Sequence, residues 1–350
     1  MGATSAGWRR WLLAFGVALA VLAGPAFPVY RHYDFSHSRD TLTYLHVARG
    51  EYAGESVTRR YRVVVPWLAA ALTTPARLGA EHGRLKDPLR PPPTRDTALP
   101  LAFFVVNTLL LAVAGAIVWR TAEAAGAARL AAGLGMAIAL SSRWATYAAA
   151  LPLTDSLYCL VFALALYGVV ARARWALLAC ALFGPLAKES FVFLLPWLLW
   201  FGRPPTGSLR AWGPLLVALA GGYGAVALVH AYVDARAGAP ATASVANAFA
   251  HFDNIPYALR RLLSVHGAAE IFSIFGFSWL VLAAGPVRGT AGWWARLGAP
   301  AQWLPAVAAV HMLLSGDLGR MGYLAFPTFG VAVALALSHL ASAVRADPQP

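Results

Sequence analysis

The hydrocarbon of a lipid bilayer offers no hydrogen-bond partner to a backbone N–H or C=O, so only helices or closed barrels cross it. This chain carries ten apolar runs, at about 11–30, 99–119, 128–147, 153–171, 175–187, 190–201, 212–232, 267–285, 299–315 and 321–344. Several approach the roughly 20 residues that an α-helix needs to cross. Of its 350 residues 59% are hydrophobic and 12% are charged, about half the charged share of a soluble domain. No alternating ten-residue pattern suggests a barrel. The expected fold is all-α: a single polytopic membrane domain over 1–350 with about ten membrane segments.

The first run follows Arg9 and Arg10 and extends from Trp11 to about Tyr30, longer than the core of a secretory signal. It reads as a retained first span with its N-terminus in the cytoplasm. Segment 63–76, VVVPWLAAALTTPA, is shorter and follows Arg59, Arg60 and Arg62; its length predicts an interfacial or re-entrant helix rather than a crossing. With that choice, Arg9, Arg10, Arg120, Arg129, Arg172, Arg174, Arg203, Arg210, Arg288, Arg296 and Arg345 fall on the cytoplasmic side, opposed by Glu123 and Asp347 alone. That is the distribution the positive-inside rule expects. The loop 31–98 is then extracytoplasmic, despite eleven basic residues, because loops of more than about 60 residues escape the rule. A second outer loop is expected at 233–266. The runs 175–187 and 190–201 are too short to span alone, and are read as a pair of short helices meeting at Gly184, Pro185, Lys188 and Glu189.

This topology brings Asp34, Asp40, Arg60, Arg62, Asp155, Lys188, Glu189, Asp253, Asp317 and Arg320 to the outer boundary from separate parts of the sequence. In SHSRDTLTYLHVARG, Ser38 is a candidate N-cap and Gly50 a candidate terminator, so Asp40 and Tyr44 share one helical face. Asp40 either complements the helix dipole or takes a proton from an acceptor hydroxyl. Asp155, in PLTDSLY, either caps a helix, with Arg143 or a first-loop arginine as partner, or joins the site. Lys188 and Glu189 interrupt an apolar run, where charge is costly and commonly functional; neutralising groups on neighbouring helices is the structural alternative. Asp317 and Arg320 stand three apart and pair on a helix, or Arg320 serves a phosphate, which guanidinium geometry suits. AHFDN, 250–254, lies in the second outer loop, over the site.

The formal charge of +13 is spread as singles and pairs, without the basic tail or finger spacing of a nucleic-acid binder. Cys159 and Cys180 both fall in apolar runs, which implies no disulfide framework. His32, His37 and His46 lack a ligand spacing, so no metal site is assigned. The absence of a phosphate loop, dinucleotide fingerprint or nucleophile elbow argues against a soluble nucleotide-using enzyme.

A first span, an outer loop with an early aspartate in DTLTYLHVARG, then YRVVVPWLA, LPLTDSLYCLVFALALYG, the basic turn ARAR, LFGPLAKESFVFLLPWLL and GDLGRMGYLAFP together resemble the membrane-integral glycosyltransferases of the GT-C superfamily. The resemblance covers nearly the whole chain. It implies transfer of a sugar from a polyprenyl-phosphate carrier to a lipid, glycan or protein acceptor on the outer side of the cytoplasmic membrane. It implies Asp40 as the base with Asp34 as runner-up, Asp155 as a second acidic position, and Arg60, Arg62, Lys188 and Arg320 as ligands of the carrier phosphate. Tyr44, Glu189 and Asp317 complete the candidate substrate-binding set. No cofactor is implied, although the acidic residues leave room for a divalent cation. The adjacent acidic pair common in the first loop of relatives is absent, Asp34 and Asp40 being six apart, and there is no large soluble C-terminal domain. A secondary transporter or lipid flippase is the alternative, since a broken helix pair and intramembrane charge also suit translocation.

Overall fold

The computed structural model describes residues 2–81, 98–204, 208–238, 252–287 and 292–346. These residues form helices and connecting turns, and no strand occurs among them. The helices are α1 (Gly2–His32), α2 (Arg39–Arg49), α3 (Val64–Glu81), α4 (Ala98–Ala124), α5 (Arg129–Leu140), α6 (Arg143–Ala150), α7 (Asp155–Val170) and α8 (Arg174–Ala187). They continue with α9 (Leu195–Phe201), α10 (Leu209–Ala237), α11 (Ile255–Leu262), α12 (Val265–Phe275), α13 (Trp279–Val287), α14 (Gly292–Ser315), α15 (Leu318–Gly322) and α16 (Phe326–Ala346).

Among the described residues, six stretches are long and apolar enough to cross a membrane: Gly7–His32, Ala98–Ala124, Arg210–Ala237, Val265–Ala283, Trp293–Ser315 and Leu318–Ser342. Four shorter apolar helices accompany them, Val64–Thr73, Arg129–Leu140, Asp155–Val170 and Arg174–Ala187. The chain thus has the helices of a multi-pass membrane protein, with six segments of spanning length where the hydropathy pattern suggests ten. The run at 128–147 is divided because Ser142 turns out of α5 and caps α6, accepting from Trp144 N–H at 3.2 Å while its hydroxyl bonds Ile274 O. The expected second outer loop is partly helical: α10 runs on to Ala237 and α11 starts at Ile255.

Two helices form the centre. The windows in Ala98–Ala124 and Leu318–Ser342 are each 67% buried, against 17–39% in the other four. A helix enclosed by neighbours has no polar face to spare, and α4 is apolar on all sides apart from Asn107, Thr108 and the polar groups of its last turns. On α1, Ala14, Ala18, Leu22, Ala26 and Tyr30 are buried at four-residue intervals, one stripe of the helix. Three of the five are alanine, and Ala18 faces Gly115 of α4, so the backbones of α1 and α4 approach closely there, while Leu12 and Leu13 stay exposed. Farther along, α8 packs between α7 and α10, and α5 lies along α16.

One buried polar side chain ties this core to the start of α7. Asn107, on α4 and fully buried, donates to Leu151 O at 2.9 Å and Leu153 O at 3.1 Å, and its Oδ1 accepts from Ser156 Oγ. It thereby sets the turn from which α7 begins, and with it the position of Asp155. We expect Asn107→Ala to leave these groups unbonded and to lower stability by about 1–3 kcal/mol for the desolvated groups it orphans. A detergent-solubilised variant melting at the wild-type temperature contradicts that role.

Candidate functional site

The polar residues behind α1 fold back onto the membrane helices. The α2 helix starts after Ser38, whose backbone is extended, and ends at Gly50 with φ 79°, a conformation glycine adopts without a Cβ clash. Gly50 N–H bonds Val47 O at 3.1 Å and Glu51 N–H bonds His46 O at 3.0 Å, the 5→2 and 6→1 bonds of a Schellman ending. Both helix ends agree with the sequence expectation, although the Ser38 hydroxyl makes no capping bond. The chain then returns over α2. Glu55 accepts from Thr43 Oγ1 at 2.5 Å and lies 2.6 Å from His46 Nδ1. This return carries Arg59 and Arg62 to the same side as Asp40 and Tyr44.

Asp40 has both carboxylate oxygens engaged, Oδ1 by Arg59 Nε at 2.7 Å and Oδ2 by Arg320 Nη1 at 2.8 Å. Arg62 makes a two-pronged pair with Glu189, its Nε lying 3.0 Å from Oε2 and its Nη2 meeting Oε1, and its Nη1 donates to Tyr44 OH at 3.1 Å. Asp155 stands 3.7 Å from Lys188 Nζ and 3.8 Å from Arg320 Nη1, too long for direct hydrogen bonds. Asp317 caps α15 by accepting from Arg320 N–H at 3.0 Å, and its Oδ2 lies 3.2 Å from Arg320 Nε. Arg320 therefore faces three carboxylates, Asp40, Asp155 and Asp317, contributed by three separate parts of the chain.

The α8 helix supplies Lys188 because it stops where it does. Gly184 leaves room for the Phe191 ring, which a Cβ at 184 would meet at 2.2 Å. With the ring seated there, the backbone extends at Lys188 and enters a 3-10 turn over Glu189–Phe193. Lys188 is buried, and its Nζ lies 3.0 Å from Met321 Sδ.

The electrostatics result from this packing. Burial raises the Asp40 carboxyl, but Arg320 and Arg59 outweigh it and hold the group below its ordinary value of 3.8. Burial pushes the Tyr44 phenol up, so that it stays neutral and accepts from Arg62. Arg59, Arg62, Lys188 and Arg320 together wall a cavity of about 170 Å³, smaller than the pocket of a drug-sized ligand. Two further spaces adjoin it. One, of about 200 Å³, shares Arg62 and Lys188 and runs between α8 and α10 past Leu186, Val192, Val226 and Val229. The other, of about 470 Å³, shares Asn254 and Asp317 and is lined by Arg143, Trp144, Tyr257 and Glu270.

Of the ten residues singled out from the sequence, eight are brought together here: Asp40, Tyr44, Arg62, Asp155, Lys188, Glu189, Asp317 and Arg320. Two lie elsewhere. Asp34 is exposed and caps a 3-10 turn, accepting from Ser36 N–H at 2.9 Å and Ser36 Oγ at 2.7 Å. Arg60 points to α10, where it meets Asp234 at 2.8 Å beside Tyr61 OH. Arg143, the expected partner of Asp155, instead lies over its neighbour Trp144, 4.7 Å from the ring centre. Arg59 escaped the sequence reading as a site residue, although the run RRYR contains it, because the phase of a non-helical turn has no period to read. Of AHFDN, 250–251 lie outside the described residues, whereas Asn254 lines the cavity and donates to Leu314 O at 2.9 Å. His311, also on the wall, has Nε2 2.6 Å from the Tyr158 hydroxyl and 3.1 Å from Ser190 O, and Nδ1 2.8 Å from Val307 O. Among the described residues, no group of three or more His, Cys, Asp or Glu is arranged to hold a metal ion.

Set against known proteins, the chain matches no family model, no curated protein and no solved structure.

The Asp40–Arg320 pair has a pH signature. A carboxyl held low in the folded state stabilises it above the unfolded value, and that contribution is lost as pH falls through the folded value. The stability deficit of Arg320→Gln relative to the wild type is therefore expected to be largest near neutrality and to shrink below about pH 4. Thermal melts between pH 7 and 3 showing a constant deficit exclude this origin.

Proposed function

We propose that the protein is a membrane glycosyltransferase, similar to the GT-C superfamily, that moves a sugar from a polyprenyl-phosphate carrier to an acceptor on the outer side of the cytoplasmic membrane. One observation carries the reading: four cationic side chains surround a small cavity at the junction of an apolar groove and a polar one. An amphiphile with an anionic head has that division of chemistry. Its phosphate suits Arg59, Arg62, Lys188 and Arg320, its prenyl chain the valine-lined groove beside α10, and a hydroxyl-rich acceptor the space beside Trp144 and Tyr257. The location of the charges supports this class over translocation. They gather at one end of the α7–α8 pair, around Asp155 and Lys188, whereas transporter sites lie near the bilayer midplane.

An outward-facing site, with the ten apolar runs as membrane segments and 63–76 in the interface, fits the distribution of arginines. Trp11 of α1 lies 5.6 Å from Tyr167 and 6.5 Å from Trp175, so the end of the bundle that carries Arg9, Arg10, Arg172 and Arg174 is opposite the Asp40 cluster. That is the arrangement of a cytoplasmic end facing an external site.

In the transfer, the acceptor oxygen attacks the anomeric carbon and the bond from that carbon to the phosphate oxygen breaks. The departing pair of electrons stays on the polyprenyl phosphate, where the cationic wall stabilises it. The acceptor proton passes to Asp40. A carboxylate held by two arginines is a weak base, and the incoming phosphate relieves this by drawing Arg59 and Arg320 towards itself and freeing an Asp40 oxygen.

Two measurements test the reading. Binding of polyprenyl phosphate to the purified protein is expected to weaken strongly in Arg62→Gln and Lys188→Gln and to persist in Asp40→Asn. With a panel of polyprenyl-phosphate sugars, Asp40→Asn is expected to lower turnover by about 10²–10⁴-fold, the usual share of a general base, when assayed well below a melting temperature that loss of the Asp40–Arg320 pair itself lowers. Unchanged turnover in Asp40→Asn removes that residue from the mechanism. Failure of the wild type to bind polyprenyl phosphate removes the donor class.

A further inference from the structure

A second cationic cavity lies at the other end of the α7–α8 pair. The α7 helix has 16 residues, about 24 Å of rise, and its last turn, the start of α8, the end of α9 and the start of α10 enclose a space of about 980 Å³. Arg172, Arg174, Arg203 and Arg210 line it. None of the four takes part in an ion pair among the described residues. Between Asp155 and Asp234 the only acidic residue is Glu189, which belongs to the opposite end, and Glu123 of α4 is taken by Arg120.

The partners these arginines do have orient them without neutralising them. Arg174 Nη2 reaches Ala211 O at 3.4 Å, and the Arg203 guanidinium stacks 5.6 Å from the Trp200 ring centre. Arg172 holds a positive φ of 52°, alone among non-glycine residues described, a backbone state uncommon for such a side chain. Beneath the arginines the floor is apolar, with Leu177, Leu178, Phe201, Pro214 and Leu215. Trp175 and Trp200 flank it with more than half of their surface exposed, as aromatic residues do at a membrane interface.

We propose that this cavity binds the headgroup of an anionic phospholipid, with the four guanidinium groups on its phosphates and the first acyl carbons over the leucine floor. Guanidinium forks match phosphate oxygens, and basic pockets between membrane helices are suited to such headgroups. Four unneutralised cations exceed what one phosphate diester needs, so a two-phosphate lipid uses the site fully. An inorganic anion leaves the apolar floor unused.

The test is a native mass-spectrometric titration of the full chain in detergent with cardiolipin, using phosphatidylcholine as the neutral reference. Wild type is expected to retain cardiolipin in preference to phosphatidylcholine, and R203Q/R210Q to weaken its retention about 30-fold, at about fivefold for each arginine. R9Q/R10Q removes two charges at the same end of the bundle but outside the cavity, and is expected to retain cardiolipin as the wild type does. Equal retention by R203Q/R210Q and wild type, or an equal loss in R9Q/R10Q, overturns the proposal. Displacement of cardiolipin by millimolar inorganic phosphate overturns it as well, and assigns the cavity to a free anion. Glycosyl transfer is not read in this experiment, so its outcome is independent of the activity proposed above.

Discussion

Arg320 is the residue on which the polar architecture turns. Three carboxylates converge on it from α2, from the start of α7 and from the cap of α15, and away from water such groups would repel one another without a shared cation. The pairing is costly to assemble because each charge loses hydration, and it is costly to break because a lone buried charge remains. Such a cluster acts less as a source of net stability than as a specification of geometry. Asp40 and Asp155, 115 positions apart in sequence, are held to one small volume because both face the same guanidinium.

The scaffold beneath is arranged to keep that volume in register. Asn107 sits in one of the two most buried spanning-length helices and spends its amide on the turn before α7. Gly184 admits the Phe191 ring and so ends α8 at Lys188. Glu55 fastens the 51–63 return to α2, which brings Arg59 and Arg62 over Asp40. The first is a buried hydrogen-bond set in an apolar setting, where an unmet bond is expensive, the second a steric fit, and the third a part-buried polar tie. The charge left over is distributed unequally: one end of the α7–α8 pair mixes acids and bases, and the other has four arginines around a cavity that form no ion pair among the described residues.

Much of this was legible in the residues. The interruption of an apolar run by Lys188 and Glu189 pointed to the polar cluster both residues join, because charge in such a run needs a partner. The limits of α2 followed from Ser38 and Gly50, whose backbone preferences are local. Illegible were the partners. Asp155 pairs with Lys188 and Arg320 rather than Arg143, Arg59 rather than Arg60 meets Asp40, and Asp34 caps a turn. Those choices depend on which way a non-helical segment is wound, and hydropathy carries no phase for it. Four of the ten apolar runs, at 128–147, 153–171, 175–187 and 190–201, likewise fall short of spanning length, the first because the chain turns at Ser141 and Ser142 and the last two because it leaves the helix at Lys188.

By itself the sequence determined that this chain folds as helices in a membrane, since only that structure satisfies so many backbone groups within long apolar runs. It also determined which charged residues are anomalous, because an ionised side chain inside an apolar run is costly wherever the helix goes. Only the tertiary structure decided how the charges combine, gathering acids and bases around one cation-walled cavity and leaving four arginines at the far end without an ion pair among the described residues. The physical reason is range. Backbone satisfaction and hydropathy are properties of consecutive residues, whereas an ion pair between Asp40 and Arg320 exists only once the whole helical bundle has closed.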